Sequence, residues 1–267
     1  MPYPNFAGKH AHDALLEPST FVRYWTAQGL LPETYTAPTG VVVLYQQRLF
    51  DAVIRGDGVS PFAPRGERHT AFLDLHTFDR TDGTVGVIGG FGIGAPAATS
   101  VVESLAAIGV RRFVSMGTAG ALISGFEPGD VVVCERALRD EGVSHHYLPP
   151  GRWATPSPGL SDRLTSCLVD AGLRPATGSA WTIDAPFRET VAEARHYADE
   201  GVAVVEMEAA ALFSVGHHRG LEVASAFAIS DSLADGEWTP HFGDRRLAAS
   251  LMQMVPAAVT ALDAGQR

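Results

Sequence analysis

Short β-branched runs closed by glycine alternate along the chain with Ala- and Leu-rich segments of helical period, and this rhythm predicts α/β layering. The strand-like runs cover residues 41–45, 84–90, 111–117, 129–138, 201–207 and 222–230. Helical spacing predicts helices over 95–108, 160–171, 190–200, 208–219 and 244–264. Gly109, Gly172 and Gly220 each follow one of them where a C-cap glycine belongs. Two Pro/Gly-rich stretches, GDGVSPFAPRG from Gly56 and YLPPGRWATPSPG from Tyr147, read as long surface loops. Loops of that length in a compact domain are often functional. The rhythm resumes after each, so residues 1–267 read as one domain without internal repeats.

One predicted strand–helix junction breaks the apolar pattern. In VVEMEAAALFSVGHHRG, from Val204, two carboxylates, Glu206 and Glu208, flank a single methionine at the start of a helix that otherwise reads as buried. An ionised carboxylate taken out of water is costly unless it is paired or hydrogen-bonded, so two of them there imply a use. A ligand rich in hydroxyl groups is one such use. An ordinary helix N-terminal acid, favoured by the macrodipole, is another reading of Glu208.

Composition narrows the partners. Of 267 residues 46% are apolar and 19% charged, a globular balance. The net charge of −10 comes without any Lys/Arg run, so neither nucleic acid nor an anionic membrane is an expected partner. The two cysteines, Cys134 and Cys167, are too few for a disulfide scaffold and wrongly spaced for zinc, and free thiols are expected. With no apolar leader and no membrane-length run, a cytoplasmic location is expected. The ten histidines include the adjacent pairs His145/His146 and His217/His218, whose side chains diverge, and no metal-binding spacing occurs. No metal is expected.

The segment VGVIGGFGIGAPAATSVVESLAAIG places a glycine-rich turn between a strand and a helix, a shape that offers backbone N–H groups to an anion. Gly90, Gly92 and Ala95 satisfy the G-x-G-x-x-A dinucleotide pattern. A nicotinamide-dependent oxidoreductase would also need an acid at the end of the next strand, where Ser115 and Met116 stand.

Taken together, GFGIGAPAATSVVESLAAIGVRRFVSMGTAGAL, FEPGDVVVCERALRDEGVSHHYLPP, WTIDAPFRET, GVAVVEMEAAALF and AFAISDSLADG resemble, in order and spacing, the nucleoside phosphorylase-I superfamily of purine and uridine phosphorylases and related nucleosidases. The resemblance runs from about Gly89 to Gly236 and leaves the first third poorly matched. It implies a single-domain, three-layer phosphorylase-type fold with a mixed, partly barrel-like central sheet flanked by helices. It also implies a homo-oligomer, a dimer or a trimer of dimers, with sites near subunit contacts. The implied reaction is cleavage of a nucleoside N-glycosidic bond, by phosphate to give free base and pentose 1-phosphate, or by water. Inorganic phosphate would be a co-substrate and no cofactor is implied. A non-catalytic nucleoside-binding protein is a further alternative.

By the same resemblance Glu208 would accept hydrogen bonds from the 2′- and 3′-hydroxyls, Met207 would pack on the sugar, and Glu206 would help set the site. Asp231 matches an aspartate that assists protonation of the leaving base; a turn or N-cap aspartate is the plain alternative. Phe187 is a candidate stacking platform or a core residue, and Arg188 meets a base carbonyl or solvent. Thr118 would bridge phosphate and sugar. The phosphate motifs depart from the pattern: Ser115 stands where an arginine is usual, and LYQQRLFDAV replaces a Gly-Asp-Pro-x-Arg loop, leaving Arg48 as its arginine. Arg65 or Arg68 would reach phosphate across a subunit contact, and His10 or His12 a 5′-hydroxyl in an adjacent subunit; disordered or surface histidines are the plain alternative for the latter two. His146 and Tyr147 resemble a uridine phosphorylase segment near the site. Asp231 favours a purine, and DEGVSHHYLPP a pyrimidine.

Overall fold

The computed structural model describes residues 4–6, 8–31, 33–62 and 74–264. In chain order its elements are α1 (Pro18–Ala27), β1 (Gly40–Leu44), α2 (Gln47–Ile54), β2 (Val59–Pro61), β3 (His76–Phe78), β4 (Val85–Ile88), α3 (Ala95–Ile108), β5 (Arg112–Ala121) and β6 (Val131–Asp140). There follow α4 (Ser144–Tyr147), β7 (Trp153–Ala154), α5 (Pro158–Asp170), β8 (Ala176–Ile183), α6 (Val191–Asp199), β9 (Val202–Glu206), α7 (Ala209–Arg219), β10 (Glu222–Ser232), β11 (Thr239–Pro240) and α8 (Arg245–Asp263).

All strands join one mixed sheet in the order β11-β10-β6-β8-β9-β5-β1-β4-β3-β2, with β7 on β6. Because β5 also pairs with β10, the strands β5, β9, β8, β6 and β10 close into a five-stranded barrel, from which β1 and β4 extend in parallel. The fold is therefore the mixed, partly barrel-like α/β arrangement expected. β1 shows how sequence produces layers: all five residues are buried, and alternate side chains enter opposite cores. Val41, Val43 and Tyr45 join Val102, Leu105 and Phe213. Val42 and Leu44 join Phe50, Leu164, Leu251 and Met254. Helices α3 and α7 thus cover one face, and α5 and α8 the other.

The five helices expected from periodicity form with ends shifted by at most two residues. β8 was not legible, because in ATGSAWTI small residues interrupt the β-branched ones and leave no continuous run. Its smallness has a cause: a β-carbon on Gly178 would stand 2.9 Å from Ala203 Cβ in the neighbouring strand. The two presumed loops also carry structure. The first contains β2, and the second contains β7 and the proline-led start of α5.

Candidate active site

β9 ends at Glu206 and α7 begins at Ala209, so Met207 and Glu208 form the turn between them. Glu206 Oε2 accepts from the backbone N–H of Glu208 and of Ala209, each at 2.8 Å. Its Oε1 accepts from the Thr182 hydroxyl at the end of β8, and that hydroxyl accepts from Ala210 N–H at 3.0 Å. Glu206 is thereby a buried cap on the N-terminus of α7, where unsatisfied N–H groups and the helix dipole favour an anion. Glu208 is buried too, and its Oε1 accepts from Gly94 N–H at 2.6 Å. Burial pushes both carboxyls above their ordinary range, and the charge of Glu206 pushes Glu208 further.

The partner of Glu208 belongs to the glycine turn. Gly90, Gly92 and Gly94 have φ of 75°, 100° and 94°, which an L side chain rarely adopts, and Gly94 is the N-cap of α3. The N–H of Gly94 is therefore spent on a side chain of the same protein. Met207 is half-buried beside it, its Cε 3.9 Å from where a Gly94 β-carbon would stand.

Thr118 is half-buried on β5 and accepts from Gln46 Nε2 at 3.2 Å. Gln46 Oε1 is buried without a hydrogen-bond partner. Ser115 Oγ lies 2.8 Å from Tyr45 Oη, both residues buried, and burial holds the Tyr45 hydroxyl well above its ordinary pKa. A neutral hydroxyl pair thus occupies the place where the resemblance calls for a guanidinium. Arg48 is exposed on the first turn of α2, whose Leu49 and Phe50 turn inward. Arg65 and Arg68 lie outside the described residues.

Gly120 of β5 is the register partner of Val205 on β9 and of Asp231 on β10. The end of the strand that leads to Glu208 and the strand position of Asp231 therefore flank one residue. Asp231 is half-buried; Ser230 Oγ donates to its Oδ1 at 2.6 Å and Trp238 Nε1 to its Oδ2 at 2.9 Å. Sequence reasoning missed Trp238, Tyr45 and Gln46. The available signals were a tryptophan in the polar loop after Asp231, the tyrosine that closes the first apolar run and the glutamine after it.

Phe187 is 99% exposed on a single 3-10 turn, Pro186–Arg188, which removes the core reading, and Arg188 is exposed beside it. The next residue, Glu189, is half-buried; burial, then the charges of Asp231 and Glu193, push it up to about 7. His10 donates to the His145 carbonyl at 3.0 Å and Lys9 Nζ to His146 Nδ1 at 2.7 Å, so the N-terminal segment packs on α4 of its own chain. Lys9, His10, His12, His146 and Tyr147 line a cavity of about 1260 Å³ against α3.

The family model described as "Phosphorylase superfamily" matches residues 52–261, from α2 to the last turns of α8. The chain belongs to the phosphorylase superfamily. Among similar superfamily members, the guanosine phosphorylase of Halorubrum lacusprofundi is 32% identical over 155 residues, 58% of this chain and 64% of the relative. A DeoD-type purine nucleoside phosphorylase of Bacillus cereus is 30% identical over 155 residues, 56% of this chain and 65% of the relative. The match thus spans slightly under two thirds of those relatives' length. The purine nucleoside phosphorylase of Toxoplasma gondii in complex with immucillin-H superposes with a TM-score of 0.72 at 19% identity, over 85% of this chain and 91% of that one. The uridine phosphorylase of Vibrio fischeri gives 0.68 at 25% identity, over 85% and 92%. Purine- and uridine-acting superfamily members share this fold, so the fold alone does not select the base.

Proposed function

We propose that this phosphorylase-superfamily chain cleaves the N-glycosidic bond of a purine nucleoside, with inorganic phosphate as nucleophile. The observation that carries the reading is the double register of Gly120, which brings the turn bearing Glu208 and the strand end bearing Asp231 to either side of one small residue. In this reading Glu208, ionised, accepts hydrogen bonds from the sugar hydroxyls, and Glu206 holds the turn that carries it. Met207 packs on the sugar, and Phe187, with Arg188 near it, faces the base. A phosphate oxygen forms a bond to the anomeric carbon as the bond to the base nitrogen breaks. The electron pair leaves with the base, which Asp231 neutralises with a proton. Thr118 and Arg48 are the described candidates for holding phosphate, with Arg68 as a further candidate. The names of the first two relatives, guanosine and purine nucleoside phosphorylases, support the purine class. A homo-oligomer is part of the same reading.

Hydrolysis is a second reading, favoured by the Tyr45–Ser115 pair and by the partnerless acceptor Gln46 Oε1, which suit a neutral water better than a phosphate dianion. Product analysis on a nucleoside panel, with and without phosphate, tests both. Phosphate-dependent sugar 1-phosphate from purine nucleosides is the expected result. Free sugar at a rate indifferent to phosphate would replace it with hydrolysis, and no cleavage of any nucleoside would end both readings.

A further inference from the structure

We infer that Trp238 is a positioning residue for the proton-donating carboxyl of Asp231 and one wall of the slot for the leaving base; the inference rests on the reading above. The Trp238 indole N–H donates to Asp231 Oδ2 at 2.9 Å while the Ser230 hydroxyl donates to Oδ1 at 2.6 Å. One donor on each oxygen fixes the plane of the carboxyl, and each oxygen keeps a second lone-pair site for a ligand.

The loop that carries the indole is tethered to the strand that carries the acid. β11 pairs antiparallel with the end of β10, Asp231 opposite Pro240 and Ser232 opposite Thr239. Along β5, the register of β10 shifts between Ile229 and Asp231, an irregularity of the kind that re-aims a side chain at a strand end. Close packing under the loop completes the clamp: a β-carbon on Gly120 would stand 2.8 Å from Leu233 Cδ1 and 2.9 Å from Asp231 Oδ2.

Despite this anchoring the indole is 61% exposed, and the neighbouring Phe242, its ring centroid 6.3 Å away, is similarly open. The loop also abuts α6, the helix that follows the turn bearing Phe187. A β-carbon on Gly236 would meet the Arg195 guanidinium at 2.9 Å, and the charge of Asp231 acts on Glu189, two residues from Phe187. The exposed Trp238 and Phe242 rings beside a hydrogen-bonded carboxyl fit a planar heteroaromatic ring that stacks on the indole while a ring nitrogen takes the acid's proton.

The test compares Trp238→Phe, which keeps the ring and removes the donor, with Trp238→Ala, which removes both. Trp238→Phe is expected to lower kcat about tenfold or more with KM within about twofold, and Trp238→Ala to raise KM as well. A purely structural role would lower the melting temperature without this split. Binding of free purine base should quench tryptophan fluorescence in the native protein and lose that quench in Trp238→Phe. Should either variant fail to fold, the native protein and Asp231→Ala decide. Of the four indole N–H resonances expected from four tryptophans, one should move when the carboxyl is removed. A Trp238→Phe enzyme with kcat within about twofold of native, or no indole shift in Asp231→Ala, overturns the inference while leaving the functional reading intact. A native protein that cleaves no nucleoside overturns the functional reading and this inference with it.

Discussion

The backbone N–H of Gly94 donates a 2.6 Å hydrogen bond to Oε1 of Glu208, joining the N-terminus of α3 to that of α7. The glycine turn and the carboxylate pair, which look unrelated along the chain, are therefore one device. Gly94→Ala tests the coupling. Its φ of 94° is strained for alanine, although a β-carbon would meet nothing closer than Met207 Cε at 3.9 Å. The cost is thus backbone strain, about 1–3 kcal/mol, and relaxation of that strain moves the N–H away from Glu208. A lowered melting temperature together with a raised KM for ribonucleosides is expected; a normal KM in a destabilised protein would show that Glu208 does not depend on the turn.

Glu208 gives a pH prediction with opposite signs for activity and stability. Hydroxyl binding uses the carboxylate, and burial together with the charge of Glu206 raises the pH at which that form appears. kcat/KM should therefore climb with pH well above the ordinary carboxylate range, and Glu208→Gln should abolish most activity and flatten the climb. Stability runs the other way. Above the unfolded-state pKa the unfolded chain has released protons that the native pair still holds, so raising the pH through the raised native values costs stability. Urea midpoints measured from about pH 5 to about pH 9 should fall less in Glu206→Gln/Glu208→Gln than in the native protein.

Much of this site was legible because the sequence breaks its own pattern there. Acids in an apolar run marked Glu206 and Glu208, the glycine cluster marked the α3 turn, and the family resemblance of AFAISDSLADG marked Asp231. β1 and β6 were legible from β-branched runs, whereas β8 was hidden by the small residues that let it pack against β9. What could not be read were contacts between distant segments. Ser115 alone looks like a lost arginine; only the fold shows Tyr45, 70 residues earlier, filling its surroundings. Trp238 likewise lies in a segment without periodicity, and its hydrogen bond depends on the turn that β11 makes back along β10.

Gly120→Ala probes the narrowest point of the arrangement. A β-carbon there would stand 2.8 Å from Leu233 Cδ1, 2.9 Å from Asp231 Oδ2 and 3.2 Å from Val205 Cγ1. Overpacking of this kind costs about 1–3 kcal/mol. Both nearest atoms are side-chain ends, so relief moves Leu233 and the Asp231 carboxyl together, and kcat should fall further than the stability loss explains. Measuring kcat well below the melting temperature, where the variant is fully folded, separates the two effects.

The choice between phosphate and water as nucleophile turns on Arg48, and Tyr45→Phe serves as its control. If phosphate is the nucleophile and Arg48 swings in to hold it, Arg48→Ala should raise KM for phosphate about tenfold or more while KM for the nucleoside stays near native. Tyr45→Phe should leave the phosphate KM unchanged, because the hydroxyl it removes is committed to Ser115 rather than to a ligand. It should still cost about 1–3 kcal/mol of stability, since Ser115 Oγ is left buried without that partner. If water is the nucleophile, Arg48→Ala should be silent and the rate independent of phosphate. The side chain to alter next would then be Gln46, whose Nε2 donates to Thr118 and whose buried Oε1 has no hydrogen-bond partner.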